Sequence, residues 1–209
     1  MQRLLALFLL LTWMAPPVAA AAPLKVLVLG DSLTEGYGVP KEAAFPALIE
    51  KELKAKGYKN LVVVNAGISG STSASGVSRL KWQLKAAVKP RVLVLALGAN
   101  DGLRGLDVQA LKQNLTAVVH LAKQNGISKI LIAGMLVPPN YGKDYATRFA
   151  RVFPDVAKAE SVALMPFLLD GVAADRTLNQ ADGIHPTAAG HKIIAHHVVK
   201  YLIPLLGPP

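Results

Sequence analysis

Cysteine is absent from the 209 residues. That removes disulfides, thiolate nucleophiles and any zinc site built on sulfur. Acidic charge is scarce as well: 13 Asp and Glu stand against 23 Lys and Arg, a formal +10 at pH 7. The cations are spread out, as in Lys51, Lys54, Lys56 and Lys59, then Lys81, Lys85, Lys89 and Arg91. They form no consecutive run and do not alternate with aromatics, which make up only 6% of the chain. Nucleic-acid binding is therefore not expected. The cations read as solvated helix faces, or as a surface that attracts anionic substrates or membranes. Also missing are a G-x-S-x-G elbow, a phosphate-binding G-x-x-x-x-G-K-[ST], a G-x-G-x-x-G turn and H-E-x-x-H. His191, His196 and His197 have no carboxylate at ligand spacing and are expected as solvated or core-edge side chains. Neither a cofactor nor a metal is expected.

Long hydrophobic runs are lacking too. Leu4 to Met14 is apolar but about half of what a bilayer span needs. It follows Arg3 and precedes the small residues PPVAAAA, which is the order of a secretory signal. Residues 1–21 are read as a cleaved signal, with the cut after Ala20 or Ala21, and 22–209 as one domain. A periplasmic or secreted protein with no membrane span after cleavage is expected. A core without disulfides suffices at this length, and a monomer is expected.

What is present is an alternation. LKVLVLG (24–30), NLVVVNAG (60–67), RVLVLALG (91–98) and KILIAGM (129–135) are continuous apolar runs, the pattern of strands buried on both faces. Helices are expected over 43–56, 74–88 and from Asp107 to Gly126, with Leu111, Leu115, Val118, Val119 and Ala122 on one face. A long loop, 136–149, should follow, then a short helix and a short strand near SVALMPF. A last helix over 186–203 should turn Ile194, Val198, Tyr201 and Leu202 inward. The fold class is α/β: a single-domain, flavodoxin-like, three-layer α/β/α sandwich with a central parallel sheet. Ligands of such folds bind beyond the carboxyl ends of the strands.

Those ends carry reactive residues. GDSLTEGYG follows the first strand, NAGISGSTSASG the second and GANDG the third, while DGIHP opens the last helix. Asp182 and His185, three apart, can fix an imidazole in one tautomer so that its far nitrogen faces a hydroxyl. Ser32 is then either an ordinary turn residue or the nucleophile. Gly70 and Asn100 either shape their loops or aim N–H donors at an oxyanion, joined by the amide of Ser32. Asp101 should brace its loop, and Asp31 should serve hydrogen bonding within its turn.

Together the four stretches resemble the SGNH, or GDSL, hydrolases, whose named serine, glycine, asparagine and histidine fall at Ser32, Gly70, Asn100 and His185. GDSLTEGYG, LGANDGLRG, PPNYG and DGIHP look like the branch of periplasmic thioesterase I, lysophospholipase and bacterial arylesterase enzymes. The resemblance spans Leu24 to about Leu206. It implies a broad-specificity serine esterase acting through an acyl-serine intermediate on acyl esters, thioesters and lysophospholipids. The implied catalytic residues are Ser32, Asp182 and His185, with Ser32, Gly70 and Asn100 as the oxyanion hole. Ser71-Thr72 departs from the branch, where an acidic residue often precedes the threonine. Leu136, Val137, Pro139 and Tyr141 offer an apolar lip for an acyl chain. A carbohydrate O-acetyl esterase and a non-catalytic periplasmic binding protein remain as alternatives.

Overall fold

Apolar runs long enough to be strands, four of the five ended by glycine or alanine, assemble into one parallel sheet. The computed structural model describes residues 23–209; the expected signal segment lies outside them. Strands β1 (Leu24–Gly30), β2 (Leu61–Gly67), β3 (Val92–Ala96), β4 (Lys129–Ala133) and β5 (Ala163–Met165) pair in the order β2-β1-β3-β4-β5, all parallel. This is the flavodoxin-like order, and the expected three-layer fold is present. β3 is buried throughout and β4 after its first residue, as their Val, Leu and Ile runs require. β2 differs from expectation. It is an edge strand, so its run VVV is only partly covered, with Val62 38% exposed.

Helix α2 (Phe45–Ala55) packs on α7 (Ala188–Leu206), and α3 (Gly76–Gln83), α5 (Val108–Gln124) and α6 (Lys143–Ala159) pack side by side. Asp107 caps α5, accepting from the N–H of Gln109 and Ala110. The stripe Leu111, Leu115, Val118, Val119 and Ala122 is buried as its spacing predicts. Each buried Leu or Val side chain of this kind contributes about 1.5–3 kcal/mol.

Three further expectations are corrected. The loop expected over 136–149 ends early, because α6 begins at Lys143 and runs 17 residues. Tyr141 just before it and Tyr145, Phe149 and Phe153 within it make successive ring contacts at centroid distances of 6.2, 6.1 and 5.5 Å, the last edge-on. The helix expected over 74–88 is regular only to Gln83. Tyr201 faces solvent, since α7 buries the stripe His191, Ile194, Ala195, Val198, Val199 and Leu202 instead.

Two short helices sit where strands stop: α1 (Ser32–Glu35) after β1 and α4 (Ala99–Leu103) after β3. Gly67 makes room for the first. A Cβ there would lie 2.1 Å from the Glu35 nitrogen, so only glycine lets α1 rest on the end of β2.

Candidate active site

Register fixes the neighbourhood. Gly30 of β1 pairs with Gly67 of β2 on one side and with Ala96 of β3 on the other. Ser32, Gly70 and Asn100 therefore leave the carboxyl ends of three adjacent strands. Asp31, not Ser32, is the cap of α1: its Oδ1 accepts from the Leu33 N–H at 3.0 Å. Ser32 is the first helical residue, with its own N–H at the helix start, where developing negative charge is favoured. Asp31 is 1% exposed, and burial pushes its carboxyl up to about 6.

His185 reaches Ser32 across 153 positions. Its Nε2 lies 2.9 Å from Ser32 Oγ, and its Nδ1 lies 2.7 Å from Asp182 Oδ2. Asp182 Oδ1 also accepts from the N–H of Ile184 (2.9 Å) and His185 (3.0 Å). Hydrogen bonds from the His185 N–H and ring, then from Ile184, hold the Asp182 carboxyl down at about 2. An ionised Asp182 accepts a hydrogen bond from the Nδ1–H, which keeps the proton on Nδ1 and leaves Nε2 as the acceptor for the Ser32 O–H. Such a chain turns a weak hydroxyl into a nucleophile.

Gly70 has φ +75°, open to glycine, and its carbonyl accepts from Arg104 Nη2 at 3.0 Å. Among the described residues its N–H makes no hydrogen bond. Asn100 Nδ2 donates one hydrogen to the Ser71 carbonyl at 3.0 Å, which ties α4 to the Gly70 loop and leaves its second hydrogen free. Asp101, 4% exposed, accepts from the Ser73 N–H (2.8 Å) and Oγ (2.5 Å). It braces the loop, as expected. The apolar lip divides in two. Leu136 and Pro139 are exposed, whereas Val137 packs over Gly102 and Tyr141 donates to the Leu103 carbonyl at 2.7 Å.

Three residues that sequence reasoning passed over hold the site together. Glu35 Oε2 accepts from both the N–H (2.7 Å) and the hydroxyl of Ser69. Arg104 anchors the Gly70 carbonyl. Gln180 Nε2 donates to the carbonyls of Tyr37 (2.7 Å) and Pro186 (3.0 Å), and its backbone N–H donates to the His185 carbonyl (2.7 Å). Gln180 thus fastens the histidine loop to the segment after α1, where the Tyr37 ring lies 4.6 Å from that of His185. Glu35 and Arg104 lie inside GDSLTEG and GANDGLRG and were within sight; Gln180 left no pattern. Another correction concerns His191. It is neither solvated nor at the core edge but fully buried, accepting the Phe45 N–H at its Nδ1 at 3.2 Å. Burial, then the charge of His185, lowers it to about 4. Among the described residues no group of three metal-ligating side chains occurs.

Comparison with known proteins agrees with this geometry. A family model described as GDSL-like lipase/acylhydrolase matches residues 28–193. Esterase TesA of Pseudomonas aeruginosa is 44% identical, over 89% of this chain and 91% of its own. Thioesterase 1/protease 1/lysophospholipase L1 of Escherichia coli is 38% identical, over 90% of this chain and 88% of its own. A crystal structure of TesA superposes with a TM-score of 0.82 at 43% identity, covering 87% of this chain and 99% of that one. With Ser32, His185 and Asp182 in hydrogen-bonded sequence and relatives aligned along nearly their whole length, the chain belongs to the GDSL-like lipase/acylhydrolase family and is a serine ester hydrolase.

Proposed function

We propose that Ser32 is the nucleophile of a broad-specificity acyl esterase and thioesterase, with His185 as general base and Asp182 as its orienting carboxylate. The observation that carries this reading is the unbroken chain from Asp182 through His185 to Ser32, at 2.7 and 2.9 Å. Ser32 Oγ attacks the carbonyl carbon as His185 Nε2 takes its proton. The carbonyl oxygen gains charge and is met by the N–H groups of Ser32 and Gly70 and by the free Nδ2 hydrogen of Asn100. Each such donor is worth roughly 3–4 kcal/mol in the transition state. His185 then returns the proton to the departing alkoxide, phenoxide or thiolate, leaving acyl-Ser32. Water, deprotonated by the same imidazole, releases the acid.

The substrates proposed are aryl and simple acyl esters, acyl thioesters and lysophospholipids, with the acyl chain against Leu136 and Pro139 and the lip braced by Val137 and Tyr141. Support comes from the exposed apolar side chains on that lip and from the activities named for the relatives. Periplasmic or extracellular residence of the monomer is proposed from the signal pattern of residues 1–21. Among the described residues no helix is long and apolar enough to cross a membrane.

A fluorophosphonate probe tests the site. Covalent labelling of the native chain at Ser32, lost in Ser32→Ala and His185→Ala, is the expected result. Labelling that survives in Ser32→Ala sinks the assignment. Turnover of acetylated sugars above that of p-nitrophenyl octanoate would transfer the substrate reading to a carbohydrate deacetylase.

A further inference from the structure

The seam between β1 and β2 ends where the Ser32 turn and the Gly70 loop begin. Beyond the Gly30–Gly67 pair, β1 runs on to Ser32 and β2 runs on to Gly70. The ladder adds one longer bond there, from the Ile68 N–H to the Gly30 carbonyl at 3.3 Å. A side chain from α3 closes the seam. Arg79 Nη2 donates to the Gly30 carbonyl at 2.7 Å and also to the Ala66 carbonyl. One nitrogen thus ties the strand that delivers the nucleophile to the strand that delivers the Gly70 loop. Glu35 and Arg104 hold the tip of that loop, whereas Arg79 holds its root.

Packing alone does not account for this side chain. Arg79 is part-buried; burial lowers its pKa, and the charge of Asp31 opposes that fall. Its Nη1 is buried and bonds nothing among the described residues. An aliphatic residue at this position of α3 would cover the sheet without desolvating a cation. What the guanidinium supplies is a charge-assisted hydrogen bond to each carbonyl, about twice as strong as a neutral one. Asp31 supplies the opposite charge. Burial raises its carboxyl to about 6, and the Leu33 N–H, its own N–H and the Arg79 charge oppose that rise. Arg79 also forms part of the wall of a groove of about 470 Å³, together with Ile68, Ser78 and Trp82.

We propose that Arg79 is a positioning residue for ester hydrolysis, its guanidinium fixing the separation of the Ser32 and Gly70 N–H groups that meet the oxyanion. The inference rests on the Ser32 esterase reading and adds to it a residue outside the four motif stretches. Arg79 acts through the backbone rather than on the substrate. The two donors it spaces matter most when the carbonyl oxygen becomes negative, so loosening them lowers kcat and leaves KM. A displacement of about 1 Å between groups of this kind costs about a hundredfold in rate.

Steady-state kinetics on p-nitrophenyl butyrate and the rate of fluorophosphonate labelling at Ser32 test it, each variant also being melted. Arg79→Met should lose about a hundredfold in kcat with KM within about twofold, and its labelling should slow by a similar factor. Arg79→Lys should lose about tenfold, because its ammonium ends about one bond short of the two carbonyls. Arg79→Ala should regain about tenfold in kcat when millimolar guanidinium chloride refills the site through the groove, and nothing with sodium chloride. In an Asp31→Asn background, Arg79→Met should cost the same factor as in the native chain. Native kcat and labelling in Arg79→Met overturn the proposal, as does a loss that lies in KM. A loss that vanishes in the Asp31→Asn background overturns it too, leaving Arg79 as a counter-charge. So does guanidinium that restores the Tm of Arg79→Ala without its kcat. Should Arg79→Met fail to fold, Arg79→Lys decides, and a native kcat at a lowered Tm overturns the clamp. A native chain that escapes labelling at Ser32 overturns the esterase reading itself.

Discussion

Ser32 and His185 stand 2.9 Å apart, yet the two halves of the site are held by different means. The Ser32 half hangs from three adjacent, register-paired strands, two of them buried for most of their length, and Glu35, Asn100 and Arg104 stitch its loops together. The histidine half sits on an irregular stretch between β5 and α7, and reaches the other half through a few hydrogen bonds, those of Gln180 foremost. Backbone position on the first side follows from the hydrophobic core. On the second it follows from polar contacts that are individually worth only about 1 kcal/mol. Beside each half lies one buried ionisable group, Asp31 next to Ser32 and His191 on α7 after the histidine loop.

The sharpest break comes from His185→Ala, which should lower kcat by about three orders of magnitude or more while leaving KM for an aryl ester within a few-fold. Asn100→Ala comes next, with an expected loss of about 10²–10³ in kcat. Asn100→Asp should do no better, because it puts a carboxylate where a donor is needed. Steady-state kinetics on one substrate measure both.

The buried pair gives a comparison in pH. His191 titrates near 4 when folded and near 6.5 when unfolded, so its share of stability is lost as pH falls through that range. Asp31 titrates near 6 when folded and 3.8 when unfolded, so its share is lost as pH rises through the same range. The two slopes oppose each other, and the native Tm should change little between pH 4 and 6.5. Asp31→Asn should expose the His191 slope, roughly 2–3 kcal/mol, or a fall of about 5–10 °C from pH 6.5 to pH 4. Circular dichroism melts at three pH values decide it; a flat Asp31→Asn profile would remove His191 as the source.

Gln180→Ala should loosen only the histidine half, lowering kcat about tenfold with KM unchanged. In a His185→Ala background the same change should cost almost nothing. An equal cost in both backgrounds would mean that Gln180 merely supports the fold. The mildest effect belongs to the lip: Tyr141→Ala should reduce kcat/KM for long-chain esters about three- to fivefold more than for acetate esters, from lost apolar contact. Equal reductions would separate Tyr141 from the acyl chain.

The two halves were unequally legible in the sequence. β1, β3 and β4 declare themselves, because a doubly buried strand has no polar alternation to confuse with anything else. Ser32 and Asn100 fall just beyond the ends of β1 and β3, and Gly70 beyond the end of β2. The region after β4 was harder. Pro138, Pro139 and Gly142 read as loop, and Pro154 inside α6 reads as a break, although it lies on the exposed side of the helix. The four-residue spacing of Tyr141, Tyr145, Phe149 and Phe153 was the signal that outweighs them. Gln180 and Arg104 act on backbone carbonyls, which carry no side-chain identity for a sequence to display. His191 looked like its neighbours His196 and His197 because burial on α7 depends on where α2 lies.

The turn from Gly57 to Asn60 gathers both ends of the fold. Leu24 bonds Asn60, the Tyr58 hydroxyl bonds the Gly207 carbonyl, and Pro209 lies against Gly57. A short linker joining Gly207 to Leu24 would therefore close the chain into a ring with little distortion. New termini could then be opened at exposed Gly126, far from Ser32, giving a circularly permuted esterase with its catalytic geometry intact.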